Sequence, residues 1–215
     1  MDELELLKAK WQEREQELPT LSYTDIYKML LKKSSSIVKW IFVISIAEIL
    51  FWVVLGLLMP DNSKELLENI GLQKTLNITY VAHYVIILFF IVLFYLNWRN
   101  IKVTDTVKSL MKSILNTRRT VKYFVVYNVF GTVILFVFIN IYFYTKQTEL
   151  YSLLSKDDAS YAAIPQENFM NIFFISQLIA GVLFIGFVLV LYRIIYGILL
   201  KRLKGNYDEL ERIEV

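Results

Sequence analysis

Four polar side chains lie inside long apolar runs of this sequence, where ionisable and hydrogen-bonding groups are rare. Glu48 is in the middle of the first run, and His83, Asn128 and Gln177 interrupt the three later runs. An acidic side chain near a bilayer midplane costs about 2.5 to 3.5 kcal/mol on insertion scales, so it usually faces a partner or a cavity. The four residues therefore predict a proton or cation relay, in which protonation of Glu48 changes the packing of the helices.

The alternative is that the same groups only hold helices together. Polar side chains commonly form hydrogen bonds across membrane helices, and each bond contributes about 0.6 to 2 kcal/mol. At the rise of an α-helix, Glu48 lies about 13 Å inside its span. Asn128 and Gln177 reach comparable depths, so we expect them to be its partners. His83 lies closer to the opposite face, and direct pairing with Glu48 is not expected.

The composition argues against catalysis. The chain has one histidine and no cysteine, whereas membrane metalloenzymes hold their ions with several such ligands. It also lacks a glycine-rich phosphate loop and a nucleophile elbow. We therefore predict a protein that is not an enzyme, with no catalytic residue, no metal and no cofactor. Its basic residues alternate with apolar ones at the membrane, so no nucleic-acid partner is expected.

The elements that must position these groups are membrane spans. Hydrophobic residues make up 56% of the 215 residues, and about 20 apolar residues suffice to cross a bilayer. The predicted fold class is all-α, an antiparallel four-helix transmembrane bundle with N-terminal and central cytoplasmic amphipathic helices. The predicted parts are a cytoplasmic helical segment at 1–36, a transmembrane domain at 37–200 with spans at 37–59, 78–98, 121–145 and 169–200, and a cytoplasmic tail at 201–215.

The distribution of positive charge predicts the orientation. All but four of the 23 Lys and Arg residues lie before residue 40, between residues 99 and 122, or after residue 192. Because such residues accumulate on the cytoplasmic side, both termini should be cytoplasmic. The expected location is a bacterial inner membrane.

The segment before the first span contains two predicted helices. The first carries Trp11 on its apolar face, and the second begins where Ser22 and Asp25 can form a capping box. The second helix should lie along the cytoplasmic headgroups and contact membrane lipids, or else dock onto a cytoplasmic protein partner. In both cases the predicted contact residues are Trp11, Tyr23, Ile26, Tyr27, Leu30, Lys32 and Lys33.

The loops are short. The first should contain a small helix from Ser63 to Ile70 that ends at Gly71, and the second a helical turn near residues 150–154. Between the second and third spans, "IKVTDTVKSLMKSIL" places apolar residues on one face of a helix. We expect this helix to extend the second span into the cytoplasm.

A sequence echo suggests an internal repeat. "IVKWIFVIS" before the first span resembles "TVKYFVVYN" before the third. Two parallel repeats of a helical hairpin would place a functional site between them, as in some transporters.

From "IYKML" through "KKSSSIVKW", with Glu48 nine residues after Lys39, the chain resembles a group of small, uncharacterised four-span inner-membrane proteins of Bacteroidota, particularly flavobacteria. Some members carry a carotenoid-oxygenase label, which does not fit a chain whose one histidine is His83. The resemblance implies an analogy with membrane anti-sigma regulators, and it supplies no catalytic residue.

Two functions follow as expectations. The first is a non-enzymatic membrane regulator or interaction protein that presents cytoplasmic helices to a partner. The alternative is a small proton-linked transporter or channel subunit that uses Glu48. Since four spans make a narrow pathway, the alternative requires a homodimer.

Overall fold

The computed structural model describes residues 22–102, 104, 106–157, 161 and 163–214. These residues form six helices and no strand: α1 Tyr23–Leu57, α2 Asp61–Asn69, α3 Gln73–Lys102, α4 Val107–Thr145, α5 Gln147–Asp157 and α6 Gln166–Glu214. Four of them, α1, α3, α4 and α6, are long and apolar enough to cross a membrane. The predicted all-α, four-span fold class is confirmed.

The four long helices form a closed ring. Helix α1 packs on α3, α3 on α4, α4 on α6, and α6 on α1. Because short connections join helices that are consecutive in the chain, ring neighbours run antiparallel. The start of α1, the α3–α4 turn and the end of α6 therefore share one end of the bundle, here called the terminal end. The small helices α2 and α5 lie at the opposite end, here called the hairpin end.

Helix α1 is longer than its predicted span. It begins where predicted, because Ser22 and Asp25 form the capping box, but it then runs without a break for 35 residues. At about 1.5 Å per residue this exceeds the roughly 30 Å of a hydrocarbon core. The expectation of a separate helix along the headgroups is wrong, since residues 23–36 are the first turns of α1 itself.

The central helix belongs to the third span. Helix α3 ends at Lys102, and the side chain of Thr106 accepts a hydrogen bond from the Ser109 backbone N–H to begin α4. The prediction that this helix extends the second span is wrong, because the Thr106 cap starts a new helix that continues through to Thr145. The predicted inward face is correct at Leu110 and Ile114, which are buried.

The connections at the hairpin end are helical, as predicted. Gly71 ends α2 with a φ of +82°, its N–H bonds to the Glu68 carbonyl, and the Leu72 N–H bonds to the Leu67 carbonyl. This pair of bonds is a Schellman motif, which requires the left-handed backbone that glycine adopts without strain. The Tyr142 hydroxyl donates to the carbonyl of Ile70 over 2.9 Å and joins this turn to α4. Helix α5 is longer than the single turn predicted.

Beyond the spans, the long helices build a second packed unit, which we call the terminal-end bundle: residues 23–36 of α1, 99–102 of α3, 107–120 of α4 and 200–212 of α6. Its buried apolar residues include Leu30, Ile101, Leu110, Ile114, Leu203 and Leu210. The Tyr27 hydroxyl donates to the Thr104 carbonyl over 2.9 Å, and Asn206 Nδ2 donates to Ser34 Oγ over 3.0 Å. The spans and this unit are therefore continuous.

The ring order is consistent with the repeat that the sequence echo predicts. Helices α1 and α4 occupy opposite corners of the ring, as do α3 and α6, so a half-turn about the bundle axis exchanges the two hairpins. Equivalent positions of the echo are buried alike: Val38 matches Val121, and Ile41 matches Phe124. The interfaces between the hairpins are then α1–α6 and α3–α4.

Candidate functional site

Glu48 faces helix α6 rather than the predicted partners. The Tyr192 hydroxyl donates to its Oε1, and the Tyr196 hydroxyl donates to its Oε2 over 3.1 Å. Because Tyr192 and Tyr196 are four residues apart on α6, their side chains lie on one face of the helix. One carboxylate thus joins two successive turns of α6 to α1.

Aromatic rings enclose this contact. Tyr196 is 1% exposed, and its ring lies 5.8 Å from the ring of Phe124 in an edge-on arrangement. Phe124 makes similar edge contacts with Phe90 and Phe94. These rings place the Tyr196 hydroxyl in an apolar medium, where hydrogen bonds are stronger than in water.

A small cavity of about 20 Å³ adjoins Glu48. It is lined by Glu48, Ile49, Trp52, His83, Tyr84, Ile87, Phe124 and Asn128. A cavity needs about 10 to 15 Å³ and two or more polar partners to hold a water molecule. Both requirements are met here, since a carboxylate, an imidazole and an amide line the same space.

His83 lies nearer to Glu48 than its sequence position suggests. Its Nδ1 is 3.2 Å from the Tyr127 hydroxyl, and the two rings stack with centroids 5.7 Å apart. His83 makes no direct hydrogen bond with Glu48, in line with the prediction, but it lines the same cavity. His83 therefore shares a cavity with Glu48 although its position in the sequence is closer to the opposite face.

Asn128 and Gln177 are not hydrogen-bond partners of Glu48. Asn128 lines the cavity, while its Nδ2 donates to the Phe124 carbonyl one turn earlier over 2.9 Å. Gln177 is absent from the residues that line the cavity. The predicted pairing is wrong, because the two phenol hydroxyls of α6 donate to the carboxylate and the Asn128 amide donates within its own helix.

Sequence reasoning missed Tyr192 and Tyr196. Tyr192 precedes Arg193, and a tyrosine beside a cation near the end of an apolar run is typical of an interfacial anchor. The available signal was the spacing of four between the two tyrosines, which gives one helix face two hydroxyl donors. The helix continues to Glu214, so these residues lie within the bundle.

The predicted contact residues near the N-terminus divide into two groups. Leu30 is buried at 2% exposure, so its assignment as a contact anchor is wrong: it packs inside the terminal-end bundle. Tyr27 is partly buried, and its hydroxyl donates to the Thr104 carbonyl. Ile26 is partly buried against the same core. Tyr23, Lys32 and Lys33 are exposed, and Trp11 lies outside the described residues.

The site joins α1 to α6, and its cavity is large enough for one water molecule. Among the described residues, no three His, Cys, Asp or Glu side chains converge to hold a metal ion. The cavity offers one carboxylate and one imidazole.

Fold and site together define a polytopic four-helix membrane bundle with a carboxylate–tyrosine contact between its first and last helices. The chain belongs to the family described as a domain of unknown function, DUF8845, whose model matches residues 24–215. The match covers all six helices except the first residue of α1. Comparison with curated proteins and with solved structures found no match.

Proposed function

We propose that this protein is a non-enzymatic membrane regulator whose terminal-end bundle binds a partner. The observation that carries the proposal is continuity: the helices that cross the membrane also build the terminal-end bundle, and one buried core runs through both. A change in helix packing inside the membrane therefore reaches the partner-facing surface without a flexible linker.

The α1–α6 interface is the route for this coupling. The Ser34–Asn206 bond and the Glu48–Tyr192 bond both join these helices. The two bonds are 14 residues apart on each helix, which is about 21 Å along the axis. Since both bonds set the same antiparallel register, a shift of α6 at Glu48 displaces Asn206 from Ser34.

The exposed first turns of α1 supply the surface for a partner. Tyr23 is 52% exposed and Met29 is 47% exposed, and Lys32 and Lys33 are exposed nearby. Apolar side chains beside cations suit a partner with an acidic, partly apolar face. The positive-inside rule assigns this surface to the cytoplasm.

Site-specific photo-crosslinking in cells tests the proposal. A photoreactive amino acid at Met29 should give a discrete adduct with one soluble protein, and the Lys32→Glu, Lys33→Glu variant should lose that adduct. The matched control is Leu50, which is 58% exposed on the same helix but lies within the apolar span, so it should label lipid. Lipid adducts alone from both positions would refute the regulator proposal.

A proton-linked transporter or channel subunit is the second candidate, because Glu48, His83 and Asn128 share one cavity. In this version Glu48 carries the proton, and a homodimer completes the pathway. Glu48→Gln should then abolish proton flux in reconstituted vesicles while the protein remains folded. Equal flux in both proteins would end this candidate. If Glu48 titrates between pH 5 and 9, the thermal stability of the wild type should change with pH across that range. The thermal stability of Glu48→Gln should not.

A further inference from the structure

A second cavity opens on the membrane-facing side of the bundle, between α4 and α6. Its volume is about 390 Å³, within the usual range of about 300 to 1,000 Å³ for small-molecule sites. Phe136, Val137 and Asn140 line it from α4, and Phe174, Ile175 and Leu178 line it from α6. We call it the α4–α6 groove.

A glycine next to the groove receives the ring of Phe136. Gly181 is buried, and a Cβ atom at this position would overlap the Phe136 ring. The ring therefore lies against the backbone of α6.

The position of the groove along the helix identifies the layer of the bilayer it faces. Asn140 is five residues from the end of α4 at Thr145, which is about 8 Å along the axis. Leu178 is twelve residues from the start of α6 at Gln166, about 18 Å by the same rise. The groove thus extends from just below the headgroups toward the middle of the hydrocarbon.

The groove has one polar residue and no charged one among the described residues that line it. Asn140 Nδ2 donates one hydrogen bond to the Phe136 carbonyl over 2.9 Å. An amide side chain can donate a second bond and accept at Oδ1, so Asn140 can still serve a ligand that both donates and accepts. A hydroxyl group is such a ligand.

The cation at the end of α4 is engaged elsewhere. Lys146 Nζ lies 2.8 Å from Glu149 Oε2, and this hydrogen bond raises the pKa of the Lys146 amine. Lys146 is not among the residues that line the groove, and the uncharged lining favours a neutral headgroup over a phosphate.

We propose that the α4–α6 groove binds a neutral, hydroxyl-bearing, single-chain lipid, with its acyl chain between Phe136 and Leu178 and its hydroxyl on Asn140. The acyl chain suits the apolar lining at the depth of the hydrocarbon, and the hydroxyl suits the Asn140 amide. This site is separate from Glu48 and does not depend on the proposed regulatory function.

The test uses a monoacylglycerol that carries a photoreactive diazirine in its acyl chain, added to the full-length protein in lipid nanodiscs. Illumination and peptide mapping should place the label on residues 136–141 and 174–178. Leu178→Trp fills the groove and should reduce this labelling at least about fivefold. Leu183→Trp is the matched control, because Leu183 is 68% exposed on the same helix and lies outside the groove.

The contribution of Asn140 is tested with a second probe, the fatty acid methyl ester with the same chain, which lacks the hydroxyls. The monoacylglycerol should label the wild type more strongly than the ester does. Asn140→Leu should lower this labelling ratio about fivefold, which is the effect of losing one hydrogen bond. Uniform labelling of all lipid-facing segments, or equal labelling in wild type and Leu178→Trp, would show annular lipid only and overturn the proposal.

Discussion

At Glu48 the structure answers why a carboxyl group can occupy the middle of an apolar run. The hydroxyls of Tyr192 and Tyr196 donate to its two oxygens, and the adjoining cavity adds room for water. A carboxyl group without such donors would leave strong acceptors unsatisfied in hydrocarbon, which costs several kcal/mol. Three side chains on two helices therefore act as one unit.

This unit predicts a coupled loss of stability. Tyr196→Phe keeps the ring against Phe124 but removes one donor to Glu48, so the free energy of unfolding should fall by about 0.6 to 2 kcal/mol. In a Glu48→Leu background the same substitution should cost close to nothing. Unfolding in detergent micelles measures both values.

The control for that cycle is Tyr123→Phe. Tyr123 is 61% exposed on α4, so its hydroxyl should contribute little to the free energy of unfolding. If Tyr196→Phe lowers stability equally with and without the Glu48 carboxylate, the hydrogen bond is not what stabilises the α1–α6 contact.

At the scale of elements, the contact between α4 and α6 depends on a glycine. Gly181→Ala places a Cβ atom against the Phe136 ring, so we expect a loss of about 1 to 3 kcal/mol from overpacking. Gly186→Ala is the matched control on the same helix, since no atom lies within 4 Å of its added Cβ. It should be neutral or gain up to about 1 kcal/mol from helix propensity. Equal effects of the two substitutions in thermal unfolding would contradict this account.

The break between α3 and α4 depends on a cap. The Thr106 side chain accepts a bond from the Ser109 N–H, and Thr106→Ala should cost about 1 kcal/mol because that N–H loses its partner. Hydrogen exchange of the first amides of α4 should accelerate in this variant. Thr106→Ser keeps the hydroxyl and should behave as wild type, and faster exchange in both variants would argue against the cap.

At the scale of the whole molecule, the antiparallel ring places both ends of the described chain on one side. The sequence has no cysteine, so single cysteines can be introduced without background. In intact bacterial cells an impermeant maleimide should label Asn62→Cys and Ser152→Cys at the hairpin end. Thr24→Cys and Lys204→Cys should react only after lysis, because basic residues face the cytoplasm.

The opposite labelling pattern would show that the proposed orientation is wrong, and it would not contradict the four-helix bundle. Labelling of Thr24→Cys and Asn62→Cys from the same side would contradict the antiparallel arrangement of α1. These two outcomes separate an error in orientation from an error in topology.

The local features of this protein follow from the sequence alone. The number of spans could be predicted because hydrophobic length is a property of a contiguous stretch. The capping box at Ser22 and the glycine stop at Gly71 could be predicted because each depends on neighbours within a few residues. Glu48, His83 and Asn128 could be singled out because polar groups are rare in such runs.

Only the tertiary structure decided which groups meet. Glu48 and Tyr192 are 144 residues apart in the chain, and their contact depends on the register of α1 against α6, which the buried Ser34–Asn206 bond also sets. Periodicity identifies a helix face but not the neighbour that it packs against. For this reason the sequence predicts a contact surface at Leu30, which is buried, and predicts Asn128 and Gln177 as partners of Glu48, whose donors are two tyrosines.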